Sequence, residues 1–253
     1  MLATYDLKGK TALVTGGASG IGLGAVASFL RCGAAVAIND LATSPSLERV
    51  VRELSDAGHR VVAAPGNVGD AEDCPRMVKQ AIADLGRLDY LVNNAGTPGT
   101  RSPVPPGDFE RQDEAFWELL LNVNLIGPYR CTKAAAGALK ESGGAIVNTA
   151  SISGFAGGGS SSVYCATKAG LINLTKEWAR ALAPQVRVNA IAPGAVDSAW
   201  MCRFDDLEQG DFSNIPLRRV GSPSDYGESI LFLAAGADYV TGHTLVVDGG
   251  LIA

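Results

Sequence analysis

Short apolar runs rich in valine, isoleucine and alanine recur along the chain. Between them lie longer stretches in which apolar residues return at helical spacing. The runs at 11–15 (TALVT), 35–40 (AVAIND), 60–64 (RVVAA), 89–93 (DYLVN), 145–150 (AIVNTA), 187–192 (RVNAIA) and 244–248 (TLVVD) predict seven strands. Successive apolar positions, as opposed to strict alternation, mark strands covered on both faces, as in a parallel sheet wrapped by helices. Helix starts are also written in the sequence. Ser44-Pro45 opens a predicted helix near 45–57, and Ser222-Pro223-Ser224-Asp225 offers an N-cap hydroxyl, a proline at the first helical position and an acid three residues on. Alternation of seven strands with six or more helices predicts an α/β fold in one domain, residues 1–253. The segment 97–108, with four prolines, is expected to be a surface insertion, and no repeat of solenoid length is visible.

Composition narrows the function classes. The 47% hydrophobic content supplies a core, and 21 basic against 26 acidic residues leave a net charge of −5 with no basic stripe. Nucleic acid is therefore excluded as the expected partner in favour of a small molecule. Five cysteines without a C-x-x-C pair, and two histidines without ligand-spaced neighbours, predict neither a disulfide framework nor a metal site. Asp6, Lys8 and Lys10 stand where a secretory signal would be apolar, so the expected location is cytoplasmic. The two long uncharged stretches, 11–30 and 142–167, are too rich in glycine and serine to be membrane helices.

Directly after the first strand stands Thr15-Gly16-Gly17-Ala18-Ser19-Gly20-Ile21-Gly22, leading into an apolar helical run. Glycines permit a sharp turn and let backbone N–H groups at a helix N-terminus approach a pyrophosphate. In isolation the same residues make an ordinary strand-to-helix turn. Context adds Asp40 at the end of the second strand, 20 residues beyond Gly20, where a carboxylate can accept hydrogen bonds from ribose hydroxyls. Ser19, Asn39 and Leu41 bring no cation for a 2′-phosphate, so Asp40 points to NAD.

Tyr164 and Lys168 are four residues apart and share a predicted helix face. A phenol of pKa about 10 needs ~4 kcal/mol of help to work as an acid/base near neutrality, and an adjacent cation is expected to supply part of it. A second pair at the same spacing, Tyr129 and Lys133, shows how easily the spacing arises. What distinguishes the first is Ser151, 13 residues upstream at the end of a strand, whereas the equivalent position for the second is Phe116.

Taken in order, these motifs, with Asn93-Asn94-Ala95-Gly96, Asn124 and Pro193-Gly194, resemble the short-chain dehydrogenase/reductase family over essentially the whole chain. The resemblance implies a Rossmann-like, doubly wound, seven-stranded parallel sheet with helices on both faces, and a catalytic set of Asn124, Ser151, Tyr164 and Lys168. Tyr164 would exchange the proton with the substrate oxygen, Ser151 would orient that oxygen, Lys168 would hold the nicotinamide ribose and lower the tyrosine pKa, and Asn124 would hold a relay water. Cofactor contacts would come from Gly16, Ser19, Gly20, Ile21, Gly22, Asp40, Asn67, Val68, Asn94, Ala95, Gly96, Tyr164, Lys168, Pro193, Gly194, Val196 and Ser198. Asn67 stands where the family commonly has an acid, and Ser198 where it more often has threonine.

For substrate, the resemblance implies a secondary alcohol or ketone beside Ser151, Ser153, Tyr164, Gly194 and Trp200, closed over by residues 195–216, with Met201, Phe204 and Phe212 as further lining. It also implies a homotetramer built on long helices near 112–136 and 162–183 and on the last strand. Two alternatives stand beside an NAD-dependent dehydrogenase: an NADPH-dependent 3-oxoacyl-acyl carrier protein reductase, whose acidic carrier would need basic residues such as Arg130, Lys140 and Arg180, and a non-catalytic nucleotide-binding sensor.

Overall fold

The computed structural model describes residues 4–198 and 212–253. Seven strands form one sheet: β1 (Thr11–Val14), β2 (Ala35–Asp40), β3 (Val61–Pro65), β4 (Tyr90–Asn93), β5 (Ala145–Thr149), β6 (Arg187–Pro193) and β7 (Thr244–Val247). Every neighbouring pair is parallel, in the order β3-β2-β1-β4-β5-β6-β7. The helices are α1 (Gly20–Arg31), α2 (Pro45–Asp56), α3 (Asp73–Leu85), α4 (Glu114–Leu121), α5 (Gly127–Ser142), the single turn α6 (Ser153–Ala156), α7 (Ser162–Leu182) and α8 (Pro223–Leu231).

The unbroken apolar runs of the strands follow from this architecture. Successive side chains of β1 point to opposite faces, and both faces are dry. Ala12 and Val14 join one core with Val26 and Phe29 of α1, Val50 of α2 and Ile230 of α8. Leu13 joins the other core with Met77 and Ala81 of α3, Ala135 and Leu139 of α5 and Ala179 of α7. Ser222 caps α8 as its sequence predicts. Its hydroxyl accepts from the Asp225 N–H while the Asp225 carboxylate accepts from the Ser222 N–H, the reciprocal arrangement of a capping box. Helices α1 and α8 meet backbone to backbone: a Cβ on Gly24 would lie 2.1 Å from the Pro223 carbonyl oxygen, and one on Gly227 would lie 2.4 Å from that of Gly24.

Two expectations change. The long helix foreseen near 112–136 is interrupted at Asn122–Ile126 by a π-helical turn joining α4 to α5, a wider coil that the apolar periodicity is too coarse to register. The proline-rich stretch 97–108 is anchored more firmly than an insertion on the surface. Val104 is buried and its N–H donates to the Ser160 carbonyl, while the buried Gln112 just beyond accepts from the Ser162 N–H at the start of α7. Among the described residues, no helix is long and apolar enough to cross a membrane.

Candidate active site

Strand order reverses between β1 and β4, where the chain leaves β1 toward β2 on one side and β4 toward β5 on the other. In open α/β sheets the crevice outside the carboxyl ends at such a reversal is where ligands bind. Its floor is tied together by Thr15 and Asn94. The Thr15 hydroxyl accepts from the N–H groups of Asn94 (2.9 Å) and Ala95 (3.0 Å), and the Asn94 amide nitrogen donates to the carbonyls of Thr15 (2.9 Å) and Gly16 (3.1 Å).

The glycine turn is shaped by what a side chain would strike. Gly16 has φ of +60°, and a Cβ there would lie 3.0 Å from the Ala95 Cα. A Cβ on Gly22 would lie 2.1 Å from the Gly16 carbonyl oxygen. Ser19 is the N-cap residue of α1 but makes no side-chain capping bond, and the first turn carries no acid. The leading N–H groups of α1 thus face the crevice with a positive end dipole and no resident carboxylate. The turn is held against the neighbouring strands by the buried Asn39, whose side-chain nitrogen donates to the carbonyls of Ala64 (2.8 Å) and Gly66 (3.0 Å) and whose main-chain carbonyl accepts from the Gly17 N–H (2.8 Å).

Asp40 closes β2 with a half-exposed carboxylate, one oxygen of which accepts from the Leu41 N–H at 2.8 Å. Asn67 is exposed at the end of β3, and its side-chain oxygen accepts from the Gly69 N–H at 2.8 Å, so this amide also shapes its own turn. Val68 is buried against the Gly127 end of α5. Beyond β6, Gly194 packs on Asp248, Val196 forms an isolated parallel bridge with Gly221, and Ser198 arrives over the turn, 3.6 Å from where a Gly20 Cβ would stand.

At the other end of the crevice, three elements deliver the polar set. Ser151 follows β5 directly, Tyr164 and Lys168 lie one helical turn apart on α7, and Asn124 comes from the π-helical turn. Ser161 caps α7 by accepting from the Tyr164 N–H at 3.0 Å. The Ser151 hydroxyl shares a hydrogen bond with the Ser153 hydroxyl (2.8 Å) and accepts from the Ser153 N–H (3.1 Å). Gly96 sits between the remaining two members: a Cβ there would lie 3.3 Å from Asn124 Oδ1 and 3.7 Å from Lys168 Nζ. Gly159 leaves equally little room beside Ser153, Tyr164 and Cys165.

Burial shifts both titratable members of this set. Lys168 is buried, its Nζ donates to the Thr149 carbonyl at 2.7 Å, and it stands 5.6 Å from the centre of the Tyr164 ring. Loss of solvent lowers its pKa to about 8. Desolvation pushes Tyr164 up to about 12, and the group pulling it back is Ser151 through a hydrogen bond. Lys168 thus stands close to the phenol with its ammonium held by a strand carbonyl, where a positive charge favours the phenolate. Asn124 is likewise engaged already. Its side-chain oxygen accepts from the Thr97 N–H (2.8 Å) and its nitrogen donates to the Thr97 carbonyl (2.9 Å), pinning the strand exit after Gly96. The second tyrosine–lysine pair is elsewhere, with Tyr129 exposed on α5 and Lys133 over its ring at 6.0 Å. Trp200, Met201 and Phe204 lie outside the described residues, and Phe212 is half-buried in a short 3-10 turn. Among the described residues no cluster of His, Cys, Asp and Glu could hold a metal ion.

A family model described as enoyl-(acyl carrier protein) reductase matches residues 16–252. The 3-oxoacyl-[acyl-carrier-protein] reductase FabG of Thermotoga maritima is 36% identical over 250 residues, 97% of this chain and 99% of the relative. Among solved structures, a 7 alpha-hydroxysteroid dehydrogenase complexed with NADH and 7-oxo glycochenodeoxycholic acid superposes with a TM-score of 0.88 at 29% identity, covering 96% of this chain and 94% of that one. A short chain dehydrogenase from Burkholderia cenocepacia in complex with NADP gives 0.88 at 31% identity, covering 98% and 100%. Sheet order, crevice and relatives together define an oxidoreductase. The chain belongs to the short-chain dehydrogenase/reductase family.

Proposed function

We propose that this enzyme interconverts a secondary alcohol and a ketone with NAD(H) as cofactor. The observation that carries the choice of NAD is Asp40. A half-exposed carboxylate ends β2 with one oxygen already committed to the Leu41 N–H, and a 2′-phosphate set beside it would meet like charge. The crevice suits a dinucleotide on its own geometry, because Gly22 lets the turn close tightly on Gly16 and Asn94 and the N-terminus of α1 carries no competing acid.

In this reading Gly16, Ser19, Gly20, Ile21 and Gly22 hold the pyrophosphate and Asp40 the adenosine ribose. Asn67 and Val68 flank the adenine, Asn94, Ala95 and Gly96 line the groove, and Pro193, Gly194, Val196 and Ser198 lie over the nicotinamide end. When bound, the nicotinamide supplies hydride chemistry at the substrate carbon. The chain supplies the proton and its placement. Tyr164 holds the proton at its hydroxyl and exchanges it with the substrate oxygen. Ser151, hydrogen-bonded to Ser153 and to the phenol before substrate arrives, turns its O–H toward that same oxygen when substrate binds. Lys168 binds the nicotinamide ribose from its place beside Gly96, and Asn124 fixes the Thr97 backbone at the groove's edge. Ser153 and Gly194 flank the substrate.

Fluorescence titration with NADH and NADPH tests the cofactor. Wild type is expected to prefer NADH, and Asp40→Ala to weaken NADH roughly tenfold or more through loss of a charge-assisted hydrogen bond while NADPH binding improves as the like charge is removed, so that the preference disappears. Preference of the wild type for NADPH would overturn the reading and promote the acyl carrier protein reductase, the second reading, which the FabG relative favours. Two cations suggested for a carrier are already engaged. Arg130 donates to the carbonyls of Gly69 and Asn122, and Arg180 pairs with Glu177 at 2.5 Å.

Assembly as a homotetramer is part of the same proposal. Leaving Trp117, Leu119 and Tyr129 exposed along α4 and α5, and Phe232, Tyr239 and Val246 exposed around β7, suits faces covered by further copies. Sedimentation is expected to give four chains per particle; a sole species of 26.1 kDa would sink it.

A further inference from the structure

Among the described residues Tyr226 is the largest fully buried side chain, and its hydroxyl is not idle. It donates to the Ala195 carbonyl at 2.8 Å, and the Gly221 N–H donates to the same oxygen at 3.0 Å. Gly221 is glycine because the tyrosine needs the space: a Cβ there would lie 2.4 Å from the Tyr226 hydroxyl oxygen. The Gly221 carbonyl then accepts from the Asp197 N–H at 2.8 Å. The stretch from Ala195 to Asp197 is thus bound at both ends to the approach to α8.

This matters because α8 also fixes α1. The Gly24 and Gly227 backbones leave no clearance between the two helices, so α8 moves only with α1, whose N-terminus forms the glycine turn. Ser198 ends the pinned stretch directly over Gly20. We propose that Tyr226 is a positioning residue for cofactor binding: through α8 it holds the stretch 195–198 at a fixed height above the glycine turn. Tyr226 touches no reacting atom in this account. Burial keeps its hydroxyl protonated far above neutrality, with a pKa pushed to about 12, so it donates throughout the working range.

The inference rests on the reading of the crevice as a dinucleotide site, and the experiment separates the two. Tyr226→Phe keeps the ring in the core, and the Ala195 carbonyl keeps its bond from Gly221. The fold should survive, with thermal unfolding close to wild type. The Kd for reduced cofactor, measured by fluorescence titration, and its KM are expected to rise roughly threefold to tenfold, the size of one lost hydrogen bond. The kcat at saturating cofactor should hold within about twofold. An unchanged Kd and KM in Tyr226→Phe would overturn the positioning role, even if the melting temperature fell. A wild type that binds neither NADH nor NADPH would instead overturn the dinucleotide site, and the role with it. The Tyr226→Leu variant guards against a silent phenylalanine: a large loss of stability with unchanged cofactor Kd would mark the residue as packing alone, and so also count against the role.

Discussion

Replacing Tyr164 by phenylalanine is expected to lower kcat by about a thousandfold in either direction, with substrate KM changed only a few-fold. A general acid held at the reacting oxygen contributes on this scale, and a thousandfold corresponds to ~4 kcal/mol of barrier. The hydroxyl makes the difference because the ring stays packed and Ser161 still caps α7 at the same backbone N–H. Steady-state kinetics on a panel of ketones and secondary alcohols checks it; a Tyr164→Phe enzyme retaining a tenth of wild-type kcat would remove Tyr164 from the proton step. Ser151 cannot replace it, since its hydroxyl already mediates between Ser153 and the phenol.

The pH dependence follows from the same environment. Folding raises the Tyr164 pKa toward about 12, so the protonated form is the one the folded protein favours. Ketone reduction needs the phenol as proton donor and should be flat across neutrality, then fall at high pH. Alcohol oxidation needs the phenolate and should climb about tenfold per pH unit on its acid limb. Lys168, with its pKa lowered to about 8 by burial, loses its charge as pH rises through that value, before the phenol titrates. A phenolate limb centred below pH 6 would show that groups other than those facing the phenol in this structure control it.

The second large effect belongs to the glycine turn. Gly22→Ala places a methyl group 2.1 Å from the Gly16 carbonyl oxygen and 2.6 Å from the Asn94 amide nitrogen, both part of the floor that joins β1 to β4. Neither is the loose end of a side chain, so the turn has to shift. Cofactor affinity is expected to fall by more than tenfold, with about 1–3 kcal/mol of stability lost to overpacking. Titration calorimetry and thermal unfolding check both; unchanged affinity would show that the turn does not carry the pyrophosphate.

The turn was visible in the sequence because its requirement is steric and local. Glycine suits the positive φ and close approach to Ala95 at Gly16 and is required by the contact at Gly22, so the residues declare the geometry. The strands were visible for a similar reason: a strand buried on both faces has to be apolar at consecutive positions, as Ala12, Leu13 and Val14 are. Tyr164 and Lys168 share a face because four residues make about one turn, and Ser151 could be added because it follows a strand end.

Residues whose roles depend on distant partners were not legible in the same way. No local signal marks the π-helical turn, nor that the Asn124 amide is committed to the backbone of Thr97. Val104 lies in a proline-rich loop with no local sign that its N–H donates to the distant Ser160 carbonyl. Spacing places Lys168 beside Tyr164 but carries neither dielectric nor acceptor; the fold decides that the ammonium is buried and donates to the Thr149 carbonyl. Tyr226 carried no motif at all; only the space left by Gly221 gives its hydroxyl an address.

The sequence by itself therefore determined the parallel sheet, the glycine turn and the order in which the polar residues arrive, since each follows from sterics and burial within a few residues. Tertiary structure alone decided which hydrogen bonds those residues make and how their pKa values move. Both depend on what packing brings within 3 Å and how much water it removes, and neither quantity is a property of neighbours in the chain.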